Sequence, residues 1–108
     1  MTAVVTKSSL PEPHRQLLEL MQHVNFGRIE RLVIDEGQPL LEPRPRVVRE
    51  FRFPGENGSR PEAAIEDFSL KAQVVELFRS FDEMRDGLID VLEIKHGLPF
   101  RMIVEDSA

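Results

Sequence analysis

The chain has 108 residues, 14 Lys+Arg against 19 Asp+Glu, and a formal net charge of −5. That length makes one domain rather than two, and 31% charged with 41% apolar residues excludes a disordered or membrane-embedded chain. There is no Cys, which excludes a disulfide framework, a thiolate zinc site and a thiol nucleophile.

The single domain reads in four parts. Residues 1–12 read as a frayed tail. In Met1–Ser9 only Ala3-Val4-Val5 is apolar in sequence, too short a run for a secretory signal. No stretch approaches the roughly 20 apolar residues that span a bilayer. A cytoplasmic protein with no membrane contact is therefore expected.

Residues 13–42 read as a helix followed by a hairpin. Leu17, Leu20, Met21 and Val24 recur at i, i+3, i+4 and i+7, one apolar helix stripe. Pro11 and Pro13 must lie in the first turn or before it, because Pro deeper in a helix costs about 3 kcal/mol. The strand after Gly27 places Ile29 and Leu32 three apart, then Leu32 and Ile34 two apart. Side chains alternate faces strictly, so the three-residue step predicts a β-bulge near Glu30-Arg31, the alternative being a strand that starts after that point. Gly37 predicts a three-residue hairpin with Gly in the left-handed region. The return strand is expected at Leu40–Glu42.

Residues 43–66 are expected to hold an Arg-rich strand and a long loop. Val47, Phe51 and Phe53 would share one face of a strand over residues 47–53. The loop over 54–66 exceeds the usual length of about 4–6 residues. Residues 67–106 then read as a second helix and hairpin. Leu70, Val74, Leu77, Phe78, Phe81 and Met84 form the helix stripe, with Asp67 or Ser69 as N-cap. A second bulge is expected near Asp90-Val91. The return strand Phe100–Glu105 would carry Phe100, Met102 and Val104 on one face.

Gly27–Leu40 and Gly87–Phe100 align without a gap over fourteen positions. Six are identical: Gly27/Gly87, Ile29/Ile89, Leu32/Leu92, Ile34/Ile94, Gly37/Gly97 and Pro39/Pro99. Matches at Leu and Ile arise easily, but two glycines and a proline at one spacing mark a structural repeat. The expected fold is therefore α+β: two helix-strand-strand repeats in a two-layer sandwich, with helices on one face of an antiparallel sheet.

Val24-Asn-Phe-Gly-Arg-Ile29, the following strand and the Asp35-Glu-Gly37 turn resemble the YezD-like group of small uncharacterised bacterial proteins. The resemblance covers roughly residues 14–53. It implies a helix, an aromatic-Gly-x-aliphatic strand entry, an acidic-Gly turn and a basic strand. Here the two glycines stand one residue farther apart and a second copy is fused on. The resemblance implies architecture and no activity.

Charge is uneven along the chain. Residues 1–54 hold eight basic and seven acidic groups, residues 55–108 six and twelve. Arg44, Arg46, Arg49 and Arg52 against Glu50 form a basic ribbon, which Arg28 could join. These five arginines are the candidate binding residues. Such a ribbon can contact phosphates or an acidic protein, or simply guard an edge strand. The net negative charge disfavours broad nucleic-acid affinity.

Catalytic and metal signals are weak. His14 and His23 stand nine apart, not at the i, i+4 spacing of a zinc helix, and His96 falls at a turn tip. Asp82–Asp90 matches a calcium loop only in part, with Met84 at an oxygen-ligand position. No nucleophile elbow and no phosphate loop occur. No cofactor is expected.

Phe51, Phe53 and Phe100 need cover, which a homodimer or a protein partner would supply. The expected function is a non-catalytic binding or regulatory protein acting through protein–protein contacts. A nucleic-acid-associated protein using the arginines ranks second, and an enzyme third.

Overall fold

A computed structural model describes residues 6–53, 55 and 71–105. Helix α1 runs Glu12–Val24. Pro11 is its N-cap and Pro13 lies in its first turn, where the missing N–H would have had no intrahelical partner. Leu17, Leu18, Met21 and Val24 are buried along one face. Helix α2 runs Ala72–Met84 and buries Val74, Leu77, Phe78 and Phe81. Its N-cap is Lys71; the expected caps Asp67 and Ser69, the start of the stripe at Leu70 and most of the 54–66 loop lie outside the described residues.

Five strands form one sheet: β1 (Gly27–Asp35), β2 (Gln38–Leu40), β3 (Arg46–Arg49), β4 (Gly87–Lys95) and β5 (Leu98–Val104). The order is β2-β1-β4-β5, with β3 also on β1. All pairs are antiparallel. β2 pairs the C-terminal end of β1 and β3 its N-terminal end, so both line the same edge. β3 is thus not an extra strand beyond the hairpin. It resumes the return strand after residues 41–45, which hold Pro43 and Pro45.

The β1–β4 ladder is symmetric. Gly27 pairs Ile94 and Ile34 pairs Gly87; Arg28 pairs Glu93 and Val33 pairs Leu88; Ile29 pairs Leu92 and Leu32 pairs Ile89. Each pair becomes its mate when aligned positions of the two helix–hairpin units are exchanged. The helix ends obey the same exchange. The Gly97 N–H donates to the Asn25 carbonyl at 2.9 Å, and the Gly37 N–H to the Arg85 carbonyl at 2.7 Å. Asn25 and Arg85, the two helix C-caps, have φ of 62° and 64°. Each hairpin tip therefore satisfies the end of the other unit's helix.

The bulge on β4 falls where the three-residue step requires; β1 holds no extra residue against β4, since their register is unshifted from the Gly27–Ile94 pair to the Ile34–Gly87 pair. Arg31 has φ 59° and takes no partner in the β1–β4 register. The β4–β5 register shifts between Ile89 and Val91. Ile29, Leu32, Ile34, Ile89, Leu92 and Ile94 consequently all face the helices and are buried.

Three boundaries differ from expectation. The hairpins have two-residue turns, since Asp35 pairs Gln38 and Lys95 pairs Leu98. Glu36 and Gly37 have φ of 50° and 77°, His96 and Gly97 of 55° and 72°, the double positive φ of a type I′ turn whose twist matches the strands. The return strands accordingly begin at Gln38 and Leu98, not at Leu40 and Phe100. β3 ends at Arg49, so Phe51 and Phe53 lie beyond it, 52% and 89% exposed, and share no strand face with Val47. At the N-terminus, Lys7–Ser9 form a 3₁₀ turn with the Lys7 ammonium buried 3.0 Å from Glu19, so this part of the expected tail is docked on α1.

Candidate functional site

Both helices lie over one face of the sheet, α1 toward β2 and β3, α2 toward β5. No helix among the described residues covers the other face. Alternation along the strands decides what that face presents. Val33 lies between buried Leu32 and Ile34, and Leu88 opposite Val33. Leu40 pairs Val33 on its other side, and Val91 pairs Ile103. Leu40, Val33, Leu88, Val91 and Ile103 form a diagonal apolar band from one edge strand to the other. Val33, Leu40 and Ile103 are 40%, 36% and 44% exposed. Three strand spacings make the band about 14 Å wide across the sheet.

Beside the band the charges neutralise one another. Glu30 accepts from the Arg28 Nε–H at 2.6 Å and pairs Arg46 at 3.3 Å. Arg101 is held by both oxygens of Glu93, at 3.0 and 2.8 Å. The Arg28 hydrogen bond lowers the Glu30 pKa, and the Arg101 pair lowers that of Glu93 and raises that of Arg101. Exposed pairs of this kind contribute little to stability. They do leave the flanks of the band without strong net charge.

The five candidate arginines are not one ribbon. Arg28 and Arg46 converge on Glu30. Arg49 lies over the Phe51 ring at 4.9 Å. Arg52 pairs Glu50 at 3.1 Å and lies over Phe26 at 4.2 Å. Arg44 is distant from these, lining a groove with Gln16, Leu20, His23 and Leu41. Arg28 and Arg49 do meet in an open groove of about 420 Å³, shared with Lys95 but also with Glu50 and Glu93.

The two ends of the sheet differ chemically. At one end lie Phe26, His96, Lys95 and Phe100. His96 meets Phe26 edge-on at 4.8 Å, and the Lys95 ammonium sits 3.9 Å from the centre of the Phe100 ring. At the other end lie Asp35, Glu36 and Asp86. The Glu36 N–H donates to Asp86 Oδ1 at 3.0 Å. Asp86 is also hydrogen-bonded to the Asp35 carboxyl and raises its pKa. A shared proton explains the sign, since two carboxylates in contact resist ionising together.

The histidines are apart. His14 is buried, meeting Phe78 edge-on at 4.7 Å. Its pKa is lowered by desolvation, against the opposing pull of Asp82 and a hydrogen bond to the Gly37 backbone. Its place is thus in the core between the two units. Among the described residues no group of three or more His, Asp or Glu is placed to hold a metal ion. Asp82 belongs to α2 while Gly87–Asp90 lie in β4, which splits the calcium-like stretch between two elements.

The apolar band was legible only indirectly. Val33 makes a run with Leu32 and Ile34, and Ile103 with Met102 and Val104. Such runs in an antiparallel strand mean apolar side chains on both faces. Comparison with family models, with curated proteins and with solved structures finds no match. No helix among the described residues is long and apolar enough to cross a membrane.

Proposed function

We propose that the protein is a non-catalytic binding module whose uncovered sheet face docks an amphipathic helix of a partner protein. The observation that carries this reading is the diagonal band Leu40–Val33–Leu88–Val91–Ile103 between internally neutralised ion pairs. The band's width of about 14 Å suits the apolar stripe of a helix, whose i to i+7 anchors span about 10.5 Å and i to i+11 about 16.5 Å. The helix–hairpin unit itself is best read as a duplicated relative of the YezD-like group, which bears on architecture alone. The arginines support nucleic-acid binding poorly, because Arg28, Arg46 and Arg52 each spend their charge on a neighbouring glutamate.

The test is affinity capture from native cell extract, with and without nuclease, using the wild type, Val33→Lys and Leu40→Lys. Both positions are exposed enough to accept lysine without unfolding. The expected result is a discrete protein that survives nuclease and falls at least tenfold with either variant. Capture abolished by nuclease, or equal capture by the variants, would overturn the reading.

A further inference from the structure

The two edges of the sheet are unlike. The β2/β3 edge is broken: β2 has three residues and β3 four, with Pro39 in the first and Arg46 and Arg49 in the second. Short segments, proline and charge are the usual guards of an edge. β5 has seven residues, Leu98–Val104, and is the last strand in the order. Its register with β4 shifts at Phe100, between the Glu93–Arg101 and Ile94–Pro99 pairs; beyond that point it reads Arg101-Met-Ile-Val104, with Arg101 as its one charge. Met102 and Val104 pack on the core side, while Arg101 and Ile103 pair Glu93 and Val91 on the uncovered side. Among the described residues, no strand takes up the outer backbone groups of β5.

We infer that β5 pairs antiparallel with β5 of a second copy, making a homodimer with one sheet running through both chains. Geometry narrows the register, and the pairing of Arg101 with Glu105 selects it. Opposed residues of an antiparallel pair point to the same face, so the twofold axis must pass through a residue. With Ile103 on the axis, Met102 opposes Val104 of the other copy on the core side. On the uncovered side Ile103 meets Ile103, and Arg101 opposes Glu105, twice. Opposite charges placed so across a ladder are favourable.

Charge complementarity also holds at longer range. The β4–β5 turn end carries Lys95 and His96, and the opposite end carries Asp35, Glu36 and Asp86. An antiparallel pairing lays the Lys95 end of each copy beside the Asp35, Glu36 and Asp86 end of the other. The inference shares Ile103 with the helix-docking band, but such a dimer leaves Val33 and Leu40 uncovered and doubles the open face.

The test is sedimentation of the full chain at high micromolar concentration. The wild type is expected at twice the 12.4 kDa chain mass. Glu105→Arg turns two attractive pairs into two repulsive ones, as does Arg101→Glu, which also loses the Glu93 pair within its own chain, and each should weaken the dimer about ten- to hundredfold. Mixing the two variants sets a glutamate against an arginine at both contacts again, so the mixture should dimerise like the wild type. Ile103→Lys, which sets two ammonium groups at the axis, should be a folded monomer by circular dichroism. A monomeric wild type, which would leave the edge to a strand of another protein, overturns the inference. So does a mixture that fails to recover dimer.

Discussion

Gly27 and Gly87 open the central strands of the two helix–hairpin units, yet alanine should act differently at each. At Gly27 φ is 151°, and an added Cβ would lie 2.1 Å from the Val48 carbonyl oxygen. That oxygen belongs to β3, held on β1 by the Gly27–Arg49 and Arg28–Val48 pairs, so it cannot retreat without breaking the ladder. Strain of about 1–3 kcal/mol adds to an overpacking cost of about 1–3 kcal/mol. Gly27→Ala should thus lose about 3 kcal/mol, or roughly 12–24 °C in Tm for a domain of this size. At Gly87 the nearest atom is Met84 Sδ at 2.9 Å, the movable end of a flexible side chain. The entropy removed from the unfolded chain offsets part of the crowding, so Gly87→Ala should stay within about 1 kcal/mol of the wild type. Urea titrations followed by circular dichroism at pH 7.5 measure both. Equal losses at the two positions, or a neutral Gly27→Ala, would refute the placement of β3 against β1.

Two pH-linked predictions follow from the ionisable groups. His14 is held below its ordinary pKa of 6.5 by desolvation, so the unfolded chain takes up its proton first as pH falls. Its stabilising contribution is full above pH 6.5 and declines as pH drops from there toward its lowered folded value. His14→Gln should flatten the wild-type fall in urea midpoint between pH 7.5 and 5.5. Asp35 has its pKa raised by Asp86, so its ionisation opposes folding at neutral pH and ceases to do so once it is protonated. Asp35→Asn should therefore be the more stable protein at pH 7, the difference closing as pH falls from the raised folded value toward the ordinary aspartate value of 3.8. A variant less stable at pH 7 would contradict the shared-proton geometry.

The core was readable because its period is unusual. The Ile-x-x-Leu-x-Ile step breaks strict alternation, and Ile29, Leu32 and Ile34 with Ile89, Leu92 and Ile94 face the helices as that step demands. The turns were less readable. Type I′ geometry needs two positive φ values, and Glu36 carries no local preference for one, while His96 carries only a modest one. Tertiary hydrogen bonds from the neighbouring glycines to Asn25 and Arg85 hold those tips. The arginines misled for a similar reason. Their spacing along the chain suggests a ribbon, but Glu30 draws in Arg28 and Arg46 from two paired strands, and the strand ends before Arg52. The uncovered band joins β2, β1, β4 and β5, so no local window of sequence contains it.

The measurement closest to the central claim is site-specific photocrosslinking in native extract. A photoreactive residue at Leu40, on the uncovered face, is compared with one at Arg79, on the exposed side of α2. A discrete protein adduct that resists nuclease is expected at Leu40, and none at Arg79. An adduct at Arg79 alone, or at neither position, would contradict it.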